Sequence, residues 1–283
     1  MRFHQMLAAT GIALVFAACG PYYTITKHGD TEYKYEAAKA YYVRGQYTRA
    51  KELFSNLIIA TKGSAYAEEC LYMMAMSAYM GGDLDIAAST FRKYYQSYPR
   101  GIYNEDARYY AGRAMYENVP DPRLDQTITK EAIRELQGFL DSNPYTRLKD
   151  QTQDMIQRLQ DHLVEKELRT AQLYYDLGNY VLNSTSGGSN YEACIVTSEN
   201  ALRDFPYASA ERREQFMLLI LRSRYYFARQ SIEEKRIERF HKTVDEYYAF
   251  TNEFPESVYL KEAQGLFQKC QRALKGQPLD DDE

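Results

Sequence analysis

Tyrosines recur at a fixed interval along the first half of the chain, and they recur in pairs. The first members of the pairs are 37 residues apart and the second members follow seven residues later; the pairs are Tyr35 and Tyr42, Tyr72 and Tyr79, and Tyr109 and Tyr116. Residues seven apart lie two turns apart on the same face of an α-helix. One helical face is therefore repeated three times, which is typical of stacked helix-turn-helix units.

The other positions of the repeat follow the same register. Gly45 and Gly82 mark the ends of the first helices, and Ala50 and Ala87 follow five residues later. Small side chains at such positions let two helices cross closely. Prolines then stop the second helices, because proline lacks a backbone donor and clashes with the preceding turn. The pattern predicts an all-α fold, a TPR-type helix-turn-helix solenoid of about five repeats with a C-terminal capping helix.

The N-terminus carries an export signal. Arg2 precedes the apolar run Met6–Phe16, which is shorter than the ~20 residues that a bilayer-spanning helix needs and is typical of a signal peptide. Small residues then precede Cys19, as in a bacterial lipoprotein box. We predict that Cys19 is lipidated and anchors an otherwise soluble domain. The alternative is an ordinary secretion signal in which Cys19 is incidental.

These signals divide the chain into five predicted segments. They are a lipoprotein signal peptide (1–18), a lipidated tether (19–31), a lobe of TPR repeats one to three (32–146), a lobe of repeats four and five with the capping helix (147–275), and an acidic tail (276–283). Repeat four has a long charged first helix from about Leu148 to Leu177.

The composition and the absence of known motifs argue against several classes of function. With 45% apolar residues and a formal net charge of −4, the chain is a folded protein without the basic excess of a nucleic-acid binder. The sequence contains no metalloprotease, redox, serine-hydrolase or phosphate-loop motif. We therefore predict no enzyme activity, no cofactor and no metal. The remaining cysteines, Cys70, Cys194 and Cys270, are interpreted as small buried side chains and not as a disulfide framework.

Two surfaces are candidate binding sites. The first helices should line a groove for an extended peptide, through Tyr35, Lys39, Tyr42, Tyr72, Met76, Tyr79, Tyr109, Arg113 and Tyr116. The alternative is that the tyrosines only fill gaps between repeats. The segment 211–242 has nine basic residues against five glutamates and could attract an acidic partner, or it is simply a solvated basic helix pair. Its basic residues are Arg212, Arg213, Arg222, Arg224, Arg229, Lys235, Arg236, Arg239 and Lys242.

Several elements together resemble the BamD family, the TPR lipoprotein of the outer-membrane β-barrel assembly machinery. They are the lipoprotein box, the repeats, Pro99-Arg-Gly-Ile-Tyr103, the loop with Asp121-Pro-Arg123 and Asp125, and Arg203-Asp-Phe-Pro206. The resemblance implies a lipid-anchored scaffold on the periplasmic face of the outer membrane. It also implies that the first lobe receives termini of unfolded barrel proteins and that the second docks on a BamA-like insertase with POTRA domains. The alternative is a TPR lipoprotein of secretin, pilus or cell-wall assembly.

Overall fold

The computed structural model describes residues 22–27, 29–178, 180 and 189–279, and every regular element in these residues is an α-helix. The predicted signal peptide, Cys19, most of the Ser-Gly-rich insert and the last four acidic residues lie outside them. The helices are α1 (22–27), α2 (Thr31–Val43), α3 (Tyr47–Ala60), α4 (Ala67–Met80), α5 (Leu84–Ser97), α6 (Asn104–Glu117), α7 (Thr127–Ser142), α8 (Lys149–Leu177), α9 (Asn190–Asp204), α10 (Ala210–Arg229), α11 (Glu233–Glu253) and α12 (Leu260–Leu274).

The helices pair along the chain as the repeat predicts, which confirms the TPR-type fold. Hairpins α2–α3, α4–α5, α6–α7 and α10–α11 are each in extensive contact, and α12 packs on α11 as the capping helix. Gly45 and Gly82 end the first helices of two hairpins with φ angles of 72° and 82°. Glycine is favoured there because residues with a Cβ rarely adopt positive φ.

The chain forms two compact units. Unit 1 comprises Met1–Pro120 and Asp125–Leu159, and unit 2 comprises Asp121–Leu124 and Gln160–Glu283. The boundary lies inside α8 and not between residues 146 and 147, where the sequence pattern places it. The physical reason is that Met155 and Leu159 of α8 belong to the core of unit 1, so the start of this helix covers the last hairpin of that unit.

Small residues and aromatic rings fill the core of unit 1. Ala75, Ala87 and Ala111 are fully buried where helices cross, and Phe91 and Phe139 fill the space beside them. In unit 2 the corresponding core is more aliphatic around α10, with residues such as Leu219 and Leu221. The three cysteines Cys70, Cys194 and Cys270 are buried and unbridged, which confirms their interpretation as small core side chains.

The predicted tether is partly folded, which corrects the sequence interpretation. Residues 22–27 form α1, and Ile25 within it is buried among side chains of α2 and α3. The helix is too short and has too few apolar residues to show a periodic pattern in the sequence. A segment so short is held by its contacts and not by helix propensity.

Candidate functional site

The first tyrosine of each pair is buried. Tyr35, Tyr72 and Tyr109 are only 4%, 8% and 2% exposed. The residue that precedes the next repeat's first helix covers two of them: the ring of Tyr66 lies 4.8 Å from that of Tyr35, and the ring of Tyr103 stacks on that of Tyr72 at 4.2 Å. The prediction that these three side chains line an open groove is therefore wrong, because they pack between repeats.

The second tyrosine of each pair is half-buried and reaches the surface. Tyr79 contacts Tyr110 edge to face at 5.1 Å, and the guanidinium group of Arg113 lies 5.7 Å from the Tyr79 ring and 6.0 Å from the Tyr110 ring. Burial raises the pKa of Tyr42, and the phenols of Tyr47 and Tyr110 add to the shift. Tyr79, Tyr110 and Arg113 are in contact, and Tyr42 packs with the two tyrosines against the same core; we call these four residues the tyrosine patch.

The other predicted groove residues lie apart from this patch. Met76 is in the core of unit 1, with 9% of its surface exposed, so its predicted place in the groove is also wrong. Tyr116 is half-buried and interacts with Arg158 of α8. Lys39 lies over the ring of Tyr35 at 4.8 Å. The regular spacing predicts these side chains on one surface, but they lie at different places in the fold.

Both predicted cations already have carboxylate partners. Lys39 lies 3.7 Å from Glu69, which also accepts a hydrogen bond of 2.5 Å from the Tyr35 hydroxyl. Arg113 donates to Glu117 at 2.9 Å, and the Tyr79 hydroxyl donates to the same carboxylate at 2.6 Å. A carboxylate on a bound peptide could reach Arg113 only by sharing it with Glu117 or by displacing that carboxylate.

The tyrosine pairs did not predict Tyr66, Tyr103 and Tyr110 as ring contacts of this site. A signal was present for the first two, since Tyr66 and Tyr103 are themselves 37 residues apart and share the place just before a first helix. No such signal existed for Tyr110, because Glu36 and Met73 occupy its position in the earlier repeats. Only the structure brings its ring beside Tyr79.

The Pro-x-Gly-x-Tyr element has a structural role at this site. Glu68 accepts hydrogen bonds from the Tyr94 hydroxyl and from the backbone N–H of Ile102, the latter at 2.9 Å. A Cβ on Gly101 would lie 2.5 Å from the Glu68 carboxylate and 2.6 Å from the Tyr94 hydroxyl. A Cβ here would force one or both groups to shift, and the backbone N–H of Tyr103 also donates to the Tyr94 hydroxyl at 3.2 Å.

The loop of repeat three binds its own polar groups. Arg123 donates to Asp121 from its side chain at 2.8 Å and from its backbone N–H at 2.9 Å. These bonds lower the pKa of Asp121 to about 2. Asp125 accepts a bond of 2.9 Å from the backbone N–H of Thr127 at the start of α7. These polar side chains therefore stabilise the conformation of the loop.

Four of the predicted docking residues brace unit 2 internally. Arginines of α10 form ion pairs with glutamates on four other helices: Arg212 with Glu165 of α8, Arg213 with Glu253 of α11, Arg222 with Glu262 of α12, and Arg224 with Glu199 of α9 and Glu246 of α11. The segment 211–242 therefore has four of its nine basic side chains paired inside unit 2. Its glutamate partners lie outside residues 211–242, where a local count of charge does not include them.

The other predicted docking residues lie from the end of α10 onward. Arg229 ends α10 and has interactions of its own, and Arg236 donates to the Ser231 carbonyl at 3.2 Å. The guanidinium group of Arg239 lies 3.7 Å from the centre of the Phe227 ring. Lys242 pairs with Glu238 on the surface of α11. Basic side chains therefore follow the exposed side of α11.

A cleft of about 350 Å³ opens between α9, α10 and α11, and we call it the unit 2 cleft. Its apolar lining residues are Ile195, Val196 and Phe227, and its charged lining residues are Glu192, Glu199, Arg224, Lys235, Glu238, Arg239 and Lys242. Val196 is 48% exposed, and Ile237 nearby in sequence on α11 is 60% exposed. The cleft combines an apolar floor with charged walls.

Within the described residues, no set of three or more His, Cys, Asp and Glu side chains could hold a metal ion. None of the described helices combines the length and apolar character needed to cross a bilayer. Burial raises the pKa of the Cys70 thiol to about 11 and that of Cys194 in the same direction, so these thiols are poor nucleophiles at neutral pH.

One comparison with known proteins identifies a relative. The model of the family YfiO, described as outer membrane lipoprotein, matches residues 28–184, more than half of the chain. The matched range includes every residue of the tyrosine patch. No curated protein matches the chain.

Proposed function

Because this chain belongs to the YfiO family of outer membrane lipoproteins, we propose that it is a scaffold of the machinery that folds and inserts β-barrel proteins into the outer membrane. It is anchored by lipid at Cys19 and faces the periplasm. The family match carries this proposal, and the fold agrees with it, since TPR-like helical repeats are typical of non-enzymatic scaffolds. Fold alone never decides function.

The tyrosine patch is the proposed receptor for barrel-protein termini. Tyr42, Tyr79 and Tyr110 each offer an apolar ring beside a hydroxyl, and all three are half-buried. An extended peptide needs apolar slots for alternate side chains and polar partners for its backbone. Its terminal aromatic ring would pack on these rings, and Arg113 would share its charge between Glu117 and the terminal carboxylate.

The unit 2 cleft is the proposed docking surface for the barrel insertase. Its exposed lysines, Lys235 and Lys242, are on α11, while Ile195 and Val196 supply an apolar floor. A folded periplasmic POTRA domain would fit this cleft if it presents a carboxylate to the lysines and an apolar side chain to the apolar floor. Charged groups at the rim would mainly speed the encounter, and the apolar floor would supply most of the affinity.

A calorimetric titration tests the receptor. The ligand is a peptide of alternating apolar residues with a C-terminal phenylalanine, and the variant combines Tyr42→Ala, Tyr79→Ala and Tyr110→Ala. Each aromatic contact contributes roughly 0.5 to 1.5 kcal/mol beyond burial, so the loss of three should weaken binding by about tenfold to about a thousandfold. Tyr33→Ala with Tyr145→Ala is the matched control, since these side chains are 57% and 97% exposed. Equal binding by both variants at unchanged helical circular dichroism would refute the receptor.

Crosslinking in intact cells tests the docking surface. Lys235→Glu with Lys242→Glu should reduce capture of the insertase at least about tenfold, because two charge reversals repel an acidic partner. Lys149→Glu, an exposed position in unit 1, should leave capture unchanged. Capture of a secretin or a cell-wall enzyme in place of an insertase would instead favour the alternative scaffold function.

A further inference from the structure

Helix α1 is fixed to the first repeat by its side chains. The Tyr22 hydroxyl donates to Glu52 at 2.5 Å, and the Tyr22 ring lies edge-on to Tyr41 at 5.6 Å. The guanidinium group of Arg49 lies 5.4 Å from the same ring. Ile25, one turn further, is 8% exposed. These contacts tie α1 to both α2 and α3.

Hydrogen bonds of Gly29 and Asp30 lie where α1 meets α2. The backbone N–H of Gly29 donates to the Ile25 carbonyl at 3.1 Å, and Asp30 caps α2 by accepting from the Tyr33 backbone N–H at 2.7 Å. A Cβ on Gly29 would lie 2.8 Å from the Ile25 carbonyl oxygen and 2.9 Å from the Tyr33 ring. Movement of α1 away from α2 would therefore break the bond between Gly29 and Ile25.

Covalent geometry then limits the distance to the lipid anchor. Only Gly20 and Pro21 separate Cys19 from Tyr22, and three trans peptide units span at most about 11 Å between Cα atoms. The headgroup layer on each side of a bilayer is roughly 5 to 8 Å thick. An acylated Cys19 would therefore keep Tyr22 within about two headgroup thicknesses of the membrane surface.

We infer that α1 is a rigid strut that holds the first repeat against the lipid headgroups of the membrane in which Cys19 is anchored. This inference rests on the proposed lipid anchor. It differs from a flexible tether, which would let unit 1 move freely. Because α1 is packed on α2 and α3, the short link to Cys19 limits the height of repeat one above the bilayer.

The exposed face of α1 suits a headgroup surface. Tyr23 is 61% exposed, and Lys27, four residues later on the same side of the helix, is also exposed. Tyrosine prefers the boundary between apolar and aqueous layers, since its ring is apolar and its hydroxyl is polar. A lysine beside it can approach lipid phosphates. The surface facing the membrane is therefore Tyr23 and Lys27 of α1.

Fluorescence quenching on vesicles tests the strut. The full lipidated protein is reconstituted into vesicles of phosphatidylethanolamine and phosphatidylglycerol that contain a headgroup-linked nitroxide quencher. A fluorophore is placed at Thr48→Cys, one turn from Glu52 on α3, or at Gln137→Cys on α7 as the reference. The unsubstituted chain, whose described cysteines are buried, measures background labelling.

Two variants release the strut in different ways. The first inserts about twelve glycine and serine residues between Gly20 and Pro21, with a root-mean-square span of about 20 Å. The second, Tyr22→Ala with Ile25→Ser, keeps the length but removes the packing. We expect the wild-type label at residue 48 to be quenched at least about twice as strongly as the reference, and both variants to lose most of that difference, because quenching falls steeply with distance.

The outcomes separate this inference from the proposed function. Equal quenching at residue 48 in the wild type and in the insertion variant would overturn the strut, while flotation with vesicles and peptide binding would still support the scaffold. Wild-type protein that does not float with the vesicles would overturn both the anchor and the strut. Tyr23→Ser with Lys27→Ser should reduce quenching by less than the insertion does, because the anchor and the packing remain.

Discussion

The two units share one repeat fold but are held together by different chemistry. In unit 1 several tyrosine hydroxyls donate to glutamates on another helix, such as Tyr35 to Glu69 and Tyr79 to Glu117, beside the ion pair of Arg92 with Glu135. In unit 2 arginines of α10 form ion pairs with carboxylates on α8, α9, α11 and α12. Helices in the same backbone arrangement can thus be joined by phenol–carboxylate bonds or by arginine ion pairs. We call these the two closures, and we expect them to respond differently to pH and to substitution.

The largest expected effect is selective unfolding of unit 1 at alkaline pH. Burial first, and then bonding to Glu135, raises the pKa of Tyr95 to about 12, and the pKa of Tyr79 rises for similar reasons. An unfolded tyrosine has a pKa of about 10. A raised phenol pKa stabilises the fold fully below about pH 10, and this stability is lost as pH rises from about 10 through 12. Guanidinium groups stay charged over that range.

Two fluorescent reporters measure this difference. A label at Gln137→Cys on α7 reports on unit 1, and one at Gln268→Cys on α12 reports on unit 2. We expect the unit 1 label to show unfolding at a pH at least about one unit lower than the unit 2 label, because the phenol–carboxylate bonds of Tyr35, Tyr79 and Tyr95 lie in unit 1. A pKa difference of about one between the folded and unfolded states corresponds to about 1.4 kcal/mol. Simultaneous loss of both signals would show that the two closures do not differ in this way.

The next effect concerns the most buried brace of unit 2. The side chains of Arg224 and Glu246 are 23% and 16% exposed and lie 3.1 Å apart. Burial raises the pKa of Glu246 although Arg224 opposes the shift. Removing one partner of a buried pair strands the other charge. Because this pair is not fully buried, we expect Arg224→Ala to cost about 2 to 4 kcal/mol of unfolding free energy, as measured by urea denaturation.

An exposed pair on α11 is the matched control for that substitution. Lys242 and Glu238 lie 2.8 Å apart, with side chains 57% and 67% exposed. Exposed pairs contribute about 1 kcal/mol or less, so Lys242→Ala should be nearly neutral. If Arg224→Ala were equally mild, the arginine braces would contribute little and hydrophobic packing alone would hold unit 2.

A smaller effect is expected at the glycine of unit 1 that approaches Glu68. Gly101→Ala would place a Cβ 2.5 Å from the Glu68 carboxylate and 2.6 Å from the Tyr94 hydroxyl, which forces both to move. We expect a loss of about 1 to 3 kcal/mol in unfolding free energy. Gly138→Ala, inside α7 with nothing within 4 Å of the new Cβ, should instead stabilise by about 0.5 to 1 kcal/mol. A neutral Gly101→Ala would mean that the Tyr94 bond network carries little stability.

Much of the fold could be predicted because its cause is local and periodic. The positive φ of Gly45 and the fully buried Ala50 follow from a hairpin geometry that recurs every 37 residues. The long α8 and the capping α12 also follow from helical patterns. Periodicity reports which side chains share a face. Periodicity does not show which side chains of the next repeat cover that face.

The binding sites were harder to predict for that reason. Tyr72 is predicted to line a groove because the sequence cannot show that Tyr103 stacks on it from 31 residues away. Arg222 counts as free positive charge in the sequence because its partner, Glu262, is 40 residues away. Helix α1 carries too few residues for a periodic signal. Each of these features depends on contacts between segments that are distant in sequence, and the periodicity of one helix does not show which segments meet.

The smallest expected effect separates polar bonding from ring packing in unit 1. Tyr79→Phe keeps the ring beside Tyr110 but removes the hydroxyl that donates to Glu117 at 2.6 Å. Glu117 still accepts from Arg113 at 2.9 Å, so no carboxylate is left unpaired. A hydrogen bond to a charged group contributes roughly 1.5 to 3 kcal/mol when it is well buried. Because this bond is exposed and Glu117 keeps Arg113, we expect a loss of only about 0.5 to 1 kcal/mol in urea denaturation. Tyr145→Phe, at a side chain 97% exposed, should cost nothing measurable. If Tyr79→Phe cost as much as Arg224→Ala, single polar bonds would brace unit 1 as strongly as unit 2, and the contrast between the two closures would fail.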